Sequence, residues 1–116
     1  MRTLVDFLIE KKQRDKKYFK EYLFWAKKIK KEAKKNLKDV RVLLFGSVVK
    51  KQAEPGSDID ILVISPQLKN PEKKSEVLTG ILKEIGQNSP FEIHLVTPEE
   101  YQNWYQKFVK KEFIEV

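Results

Sequence analysis

Two periods of apolar residues run along this chain. From Tyr18 to Leu37 the positions Tyr22, Trp25, Ile29, Ala33 and Leu37 recur every three or four residues, the spacing of one helical face. Upstream, Leu4, Val5, Leu8 and Ile9 form a shorter apolar patch, and the polar stretch Glu10 to Lys17 between them allows either one bent helix or two. Val40 to Gly46 (VRVLLFG) is an apolar run that reads as a strand, and the cluster Ala53 to Ser57 (AEPGS) is a turn. A second strand is expected from Asp58 to Ser65, and a third from Phe91 to Val96. Between these two strands, Asn70-Pro71 supplies an N-cap and first turn, Val77, Leu78, Ile81, Leu82 and Ile85 a buried side, and Gly86 a stop. Thr97-Pro98-Glu99-Glu100 has the form of a capping box. Tyr101, Trp104, Tyr105 and Phe108 follow at helical spacing and are expected in the core.

The order αβ(turn)βαβα predicts an α/β (α+β) fold, a small mixed β-sheet with helices packed on it. The 116 residues are enough for one domain, residues 1–116, with a basic helical segment at 1–39 and a core at 40–116. The net charge of +7 is uneven: residues 1–39 hold 14 Lys/Arg against 6 Asp/Glu, leaving 10 against 11 for the remainder. A basic helix suits RNA, nucleotide phosphates or an acidic partner protein, and is equally explained as a solvated face. The aromatics Tyr18, Phe19, Tyr22, Phe24 and Trp25 exceed what one stripe needs; core packing is the first expectation, a homodimer or other subunit interface the second. With no cysteine, disulfides and thiolate metal sites are excluded. No apolar stretch reaches membrane-spanning length and the first residues do not follow a signal-peptide pattern, so cytoplasmic residence without membrane attachment is expected.

Chemistry concentrates between Gly46 and Val63. Alternation along a strand puts Asp58 and Asp60 on one face and Ile59, Ile61 and Val63 on the other. The next residues on the aspartate face, Leu62 and Ile64, are apolar, so the acidity is confined to the strand's start. Two carboxylates beside a buried strand repel and lose hydration unless a cation holds them, and hard divalent cations favour oxygen ligands. A bare D-x-D is a frequent surface pattern, but here it follows Gly46-Ser47 at the end of another strand. Glycine there permits close backbone approach, and the amides with the Ser47 hydroxyl suit phosphate oxygens. A phosphate cradle beside a carboxylate pair is the apparatus of metal-assisted phosphoryl or nucleotidyl transfer. No Ser/His/Asp constellation, dinucleotide fingerprint, Walker loop or HExxH is present.

Gly46-Ser47, ten residues, then Asp58-x-Asp60 resembles the G-S-x10-D-x-D signature of the DNA polymerase β-like nucleotidyltransferase superfamily. In its shortness the chain is similar to the minimal nucleotidyltransferases (MNT), often paired with HEPN-domain proteins as antitoxin and toxin. The resemblance covers roughly Val40 to Tyr105. It implies the nucleotidyltransferase fold, with a third acidic residue on a later strand, for which Glu92 is the candidate; Glu92, His94 and Val96 share a face of that strand. It also implies two Mg²⁺ ions, or Mn²⁺, at Asp58, Asp60 and Glu92. Gly46, Ser47, Lys50 and Ser57 would serve the nucleotide, and AMP would pass from ATP to a hydroxyl acceptor. Lys50 and Lys51 stand where the family usually has Arg and Gly, so the bidentate fork is lost at the first. The alternatives are a non-catalytic antitoxin that masks a HEPN partner, and an RNA-directed enzyme or RNA-binding module using the basic helix. His94, the only histidine, would either touch a nucleotide or, as the more ordinary use, be a hydrogen-bonded structural residue.

Overall fold

The computed structural model describes residues 3–49, 58–109 and 112–116. The helices α1 (Leu4–Lys20) and α2 (Tyr22–Lys34) lead into strand β1 (Arg41–Phe45) and then β2 (Ile59–Ile64). A 3₁₀ turn (Pro66–Lys69), helix α3 (Pro71–Ile85) and strand β3 (Phe91–Val96) follow. The chain ends in a short helix α4 (Pro98–Glu100), a π-helical turn (Tyr101–Tyr105), α5 (Gln106–Val109) and strand β4 (Ile114–Glu115). The sheet order is β3-β2-β1-β4, with β2 and β3 parallel and β1 antiparallel to both β2 and β4. The expected mixed sheet with packed helices is thus the observed α+β architecture.

Period-2 alternation gives the sheet two different faces. One face carries Val42, Leu44, Ile59, Ile61, Val63 and Leu95, all buried with Ala26, Ile29 and Ala33 of α2 and Val77, Ile81 and Ile85 of α3. The other carries Leu43, Phe45, Leu62, Ile64 and Val96, covered by Tyr101, Tyr105 and Phe113. Local chemistry sets the ends of α3. The Asn70 side chain accepts from the amides of Glu72 and Lys73, Pro71 starts the helix without needing its missing donor, and Gly86 stops it at φ 92°. Asn70→Ala is expected to cost about 1 kcal/mol, seen as a lower urea midpoint at unchanged m-value.

Three features depart from the sequence expectation. The N-terminal segment is two helices, but they part at Glu21 and not within the polar stretch; Tyr18 Oη donates to the Ile85 carbonyl at 2.8 Å and ties the end of α1 to the end of α3. Of its aromatics Tyr18 is buried and Phe24 is exposed. Strand β4 was not foreseen, since two residues carry no detectable period; the Arg41 guanidinium grips Glu115 through two hydrogen bonds, of 2.8 and 3.2 Å, beside it. Trp104, expected in the core, is 68% exposed. The capping box at Thr97 and Glu100 forms as expected, but in the π-turn the Gln106 amide donates to the Tyr101 carbonyl, one residue farther than in an α-helix. That extra residue shifts the helical phase, so Tyr101 and Tyr105 meet the sheet while Trp104 meets solvent.

Candidate active site

Strand pairing builds the site. In the parallel β2/β3 ladder Asp60 lies opposite Glu92 and Leu62 opposite His94, while across the antiparallel pair Phe45 lies opposite Asp60. All five side chains share the face away from α2 and α3, and the polar ones occupy its end nearest the β1 C-terminus. There the chain turns at Gly46, with φ 81°. A Cβ on Gly46 would stand 2.5 Å from Asp60 Oδ2, so this residue must be glycine both for its backbone and for the carboxylate it abuts.

His94 completes the group. Its Nε2 is 3.6 Å from Asp60 Oδ1 and 3.8 Å from Glu92 Oε1. One ligand atom from each of the three residues falls within 4.8 Å of the others. The rings of Phe45 and Tyr105, with centroids 5.7 and 5.4 Å away, flank the imidazole and hold its orientation. Nε2 is nonetheless buried with no hydrogen-bond partner. A buried, unsatisfied nitrogen facing two carboxylates is a costly arrangement in the absence of a further group. The separations lie within the span of donors around one cation, with metal–ligand distances of roughly 2.0–2.6 Å. The residues therefore fit a divalent cation by three independent marks: the orphaned nitrogen, the Cβ-free approach at Gly46 and the donor set itself.

Of the residues singled out from the sequence, Asp60 and Glu92 are brought together. Asp58 immediately precedes β2, is exposed and lies outside the 4.8 Å cluster. Its charge nevertheless reaches Glu92. Ser47 begins the turn after Gly46 and is half-buried. Lys50 and Ser57, with Lys51, fall outside the described residues. His94 is the member that sequence reasoning missed: it sits two positions beyond Glu92 on the same strand face, yet it is not the hydrogen-bonded histidine that was expected. A groove of about 410 Å³, lined by Asp39, Arg41, Ile64 and Tyr101 among others, lies toward the opposite end of β1 and β2, and among the described residues it holds no such cluster.

The Glu92 carboxyl is pushed above its usual 4.5, first by desolvation, against which His94 pulls it down, and then by the like charges of Asp60 and Asp58. Glu92 is 53% exposed, so solvent damps both the desolvation and the repulsion. A carboxyl whose folded pKa is raised costs stability in its ionised form, so the cost is present above the folded pKa and vanishes as pH falls through the unfolded value. In chelator, Glu92→Gln is expected to raise the melting temperature at pH 7–8 by on the order of 1–3 °C. The gain should disappear near pH 3.

A family model described as nucleotidyltransferase domain matches residues 26–115. The chain belongs to this family. It is thereby a member of the DNA polymerase β-like nucleotidyltransferase superfamily, and the match begins within α2, leaving α1 outside the matched residues. A solved structure titled "Crystal structure of putative nucleotidyltransferase" is 33% identical, with a TM-score of 0.66 over 78% of this chain and 95% of that one. A second, from Sulfolobus solfataricus and bearing the same "putative nucleotidyltransferase" description, is 22% identical with a TM-score of 0.53 over 93% of this chain and 84% of that one, and speaks to the fold alone. Among curated proteins the chain finds no match.

Proposed function

We propose that this nucleotidyltransferase domain transfers a nucleoside monophosphate, AMP from ATP in the first instance, to a hydroxyl acceptor. The observation that carries the reading is the convergence of Asp60, Glu92 and His94 Nε2 beside the Gly46 turn. Asp60 and Glu92, with Asp58 at the rim and His94 beside them, would hold divalent cations such as Mg²⁺ or Mn²⁺. Such cations supply charge neutralisation on the triphosphate and the departing pyrophosphate. The turn at Gly46 lets backbone amides approach the phosphates, and Ser47, Lys50 and Ser57 complete the phosphate-binding set in this proposal. The acceptor oxygen bonds to the α-phosphorus, the bond from that phosphorus to the β-phosphate bridging oxygen breaks, pyrophosphate leaves, and the hydroxyl proton passes to solvent. Phe45 and Leu62, buried on the same face next to Asp60, keep its interaction with cations less screened than at an open surface.

A second observation concerns partners. On α1, Leu4, Val5, Phe7, Leu8 and Ile9 are all at least half exposed and lie outside the residues matched by the family model. An apolar patch of that kind favours a protein partner over RNA, and a HEPN-domain protein is the partner proposed, in the MNT antitoxin manner. Under the rival reading this contact alone masks the partner, without catalysis.

Labelled ATP with Mg²⁺ or Mn²⁺, with and without the HEPN partner, separates the two. The enzyme reading expects label on an acceptor and pyrophosphate release from the wild type. Asp58→Asn/Asp60→Asn should lose both while still binding the partner. Neutralisation by the double variant equal to wild type, with no transfer by wild type under either metal, would establish the masking protein instead.

A further inference from the structure

The donor set at this site is not all oxygen. Asp60 and Glu92 offer carboxylate oxygens, but the third converging atom is an imidazole nitrogen, His94 Nε2. This nitrogen is buried and without a hydrogen bond, although it is 3.6 and 3.8 Å from two of the strongest acceptors a protein has. Those distances are too long for hydrogen bonds and suited to two donors around one ion. Nor is the ring placed to swing elsewhere, since Phe45 and Tyr105 pack on it and its strand position faces Leu62. Mg²⁺ seeks oxygen ligands and keeps several waters, whereas imidazole suits the borderline first-row cations.

We infer that His94 Nε2 is a direct ligand and that, with Asp60 and Glu92, it makes an O,O,N site selective for a first-row transition cation such as Zn²⁺, Co²⁺ or Mn²⁺ over Mg²⁺. The inference rests on the nucleotidyltransferase reading of the same site and adds which cation this chain takes there. Phe45 and Tyr105 act as positioning residues, holding the imidazole in register with the carboxylates. The acidic groups keep the site competent for a hard ion, so the selectivity resides in one side chain.

Because His94 is the only histidine, imidazole nitrogen resonances of ¹⁵N-labelled full-length chain report this residue alone. Adding Zn²⁺ is expected to move the Nε2 resonance much more than Nδ1, and Mg²⁺ to move neither. Calorimetry should show His94→Asn weakening Zn²⁺ or Mn²⁺ binding by roughly 10–100-fold while changing Mg²⁺ affinity less than about threefold. Asp60→Asn, as a control for surface carboxylates, should weaken both metals. Binding of Zn²⁺ that requires Asp60 but leaves the imidazole unchanged would overturn the inference and leave metal-dependent transfer standing. Equal Zn²⁺-over-Mg²⁺ preference in wild type and His94→Asn would do the same. Should His94→Asn fold poorly, the wild-type resonances decide. No cation binding to wild type, with or without ATP, would remove both this inference and the transferase reading.

Discussion

Gly46→Ala is expected to lower the melting temperature by on the order of 10 °C and to abolish stabilisation by divalent cations. Two costs fall on one atom. The backbone at position 46 has φ 81°, a region that costs a residue with a Cβ roughly 1–2 kcal/mol. The new methyl would also stand 2.5 Å from Asp60 Oδ2, far inside van der Waals contact, so either the turn or the carboxylate must move. Asp60 is hemmed by β1 on one side and β3 on the other, which leaves little room for the carboxylate to yield without leaving its partners. Calorimetric scans of both proteins, with chelator and with excess Mn²⁺, measure the two effects separately. A variant that melts within about 2 °C of wild type and still responds to Mn²⁺ would show that the close approach at Gly46 does not matter.

Asp60→Asn should reduce nucleotide transfer by about 10³-fold or more, the consequence of losing several kcal/mol of charge stabilisation. It should do so without unfolding the protein. Asparagine has the same shape, and removing one charge relieves the crowding that pushes the Glu92 carboxyl upward. In chelator the variant is therefore expected to melt at or slightly above the wild-type temperature. With excess Mn²⁺ the order should reverse, because only the wild type gains by mass action. Equal melting of the two proteins in Mn²⁺, or transfer rates within tenfold, would detach Asp60 from the site.

Period and spacing determined a good deal of this protein. Alternation in Asp58 to Ser65 placed Asp60 opposite in face to Ile59 and Ile61, which the buried core bears out, and Gly46-Ser47 with Asp58-x-Asp60 pointed to the nucleotidyltransferase family. Caps at Asn70 and Thr97 were legible because they involve residues three apart at most. What one chain segment cannot encode is which residue of another it will face. Only the parallel register of β2 and β3 sets Glu92 opposite Asp60 and swings His94 toward both, since pairing across some thirty residues depends on how α3, the crossover that joins the two strands, packs on the sheet. The π-turn escaped because one extra residue changes the helical phase without changing the sequence pattern, which is why Trp104 points outward. Strand β4 escaped because its pairing with β1 is a property of the finished sheet edge and not of its two residues. Local physics thus fixed the faces and the caps, while the contacts that bring two oxygens and a nitrogen within 4.8 Å were decided by register, which exists only in the folded sheet.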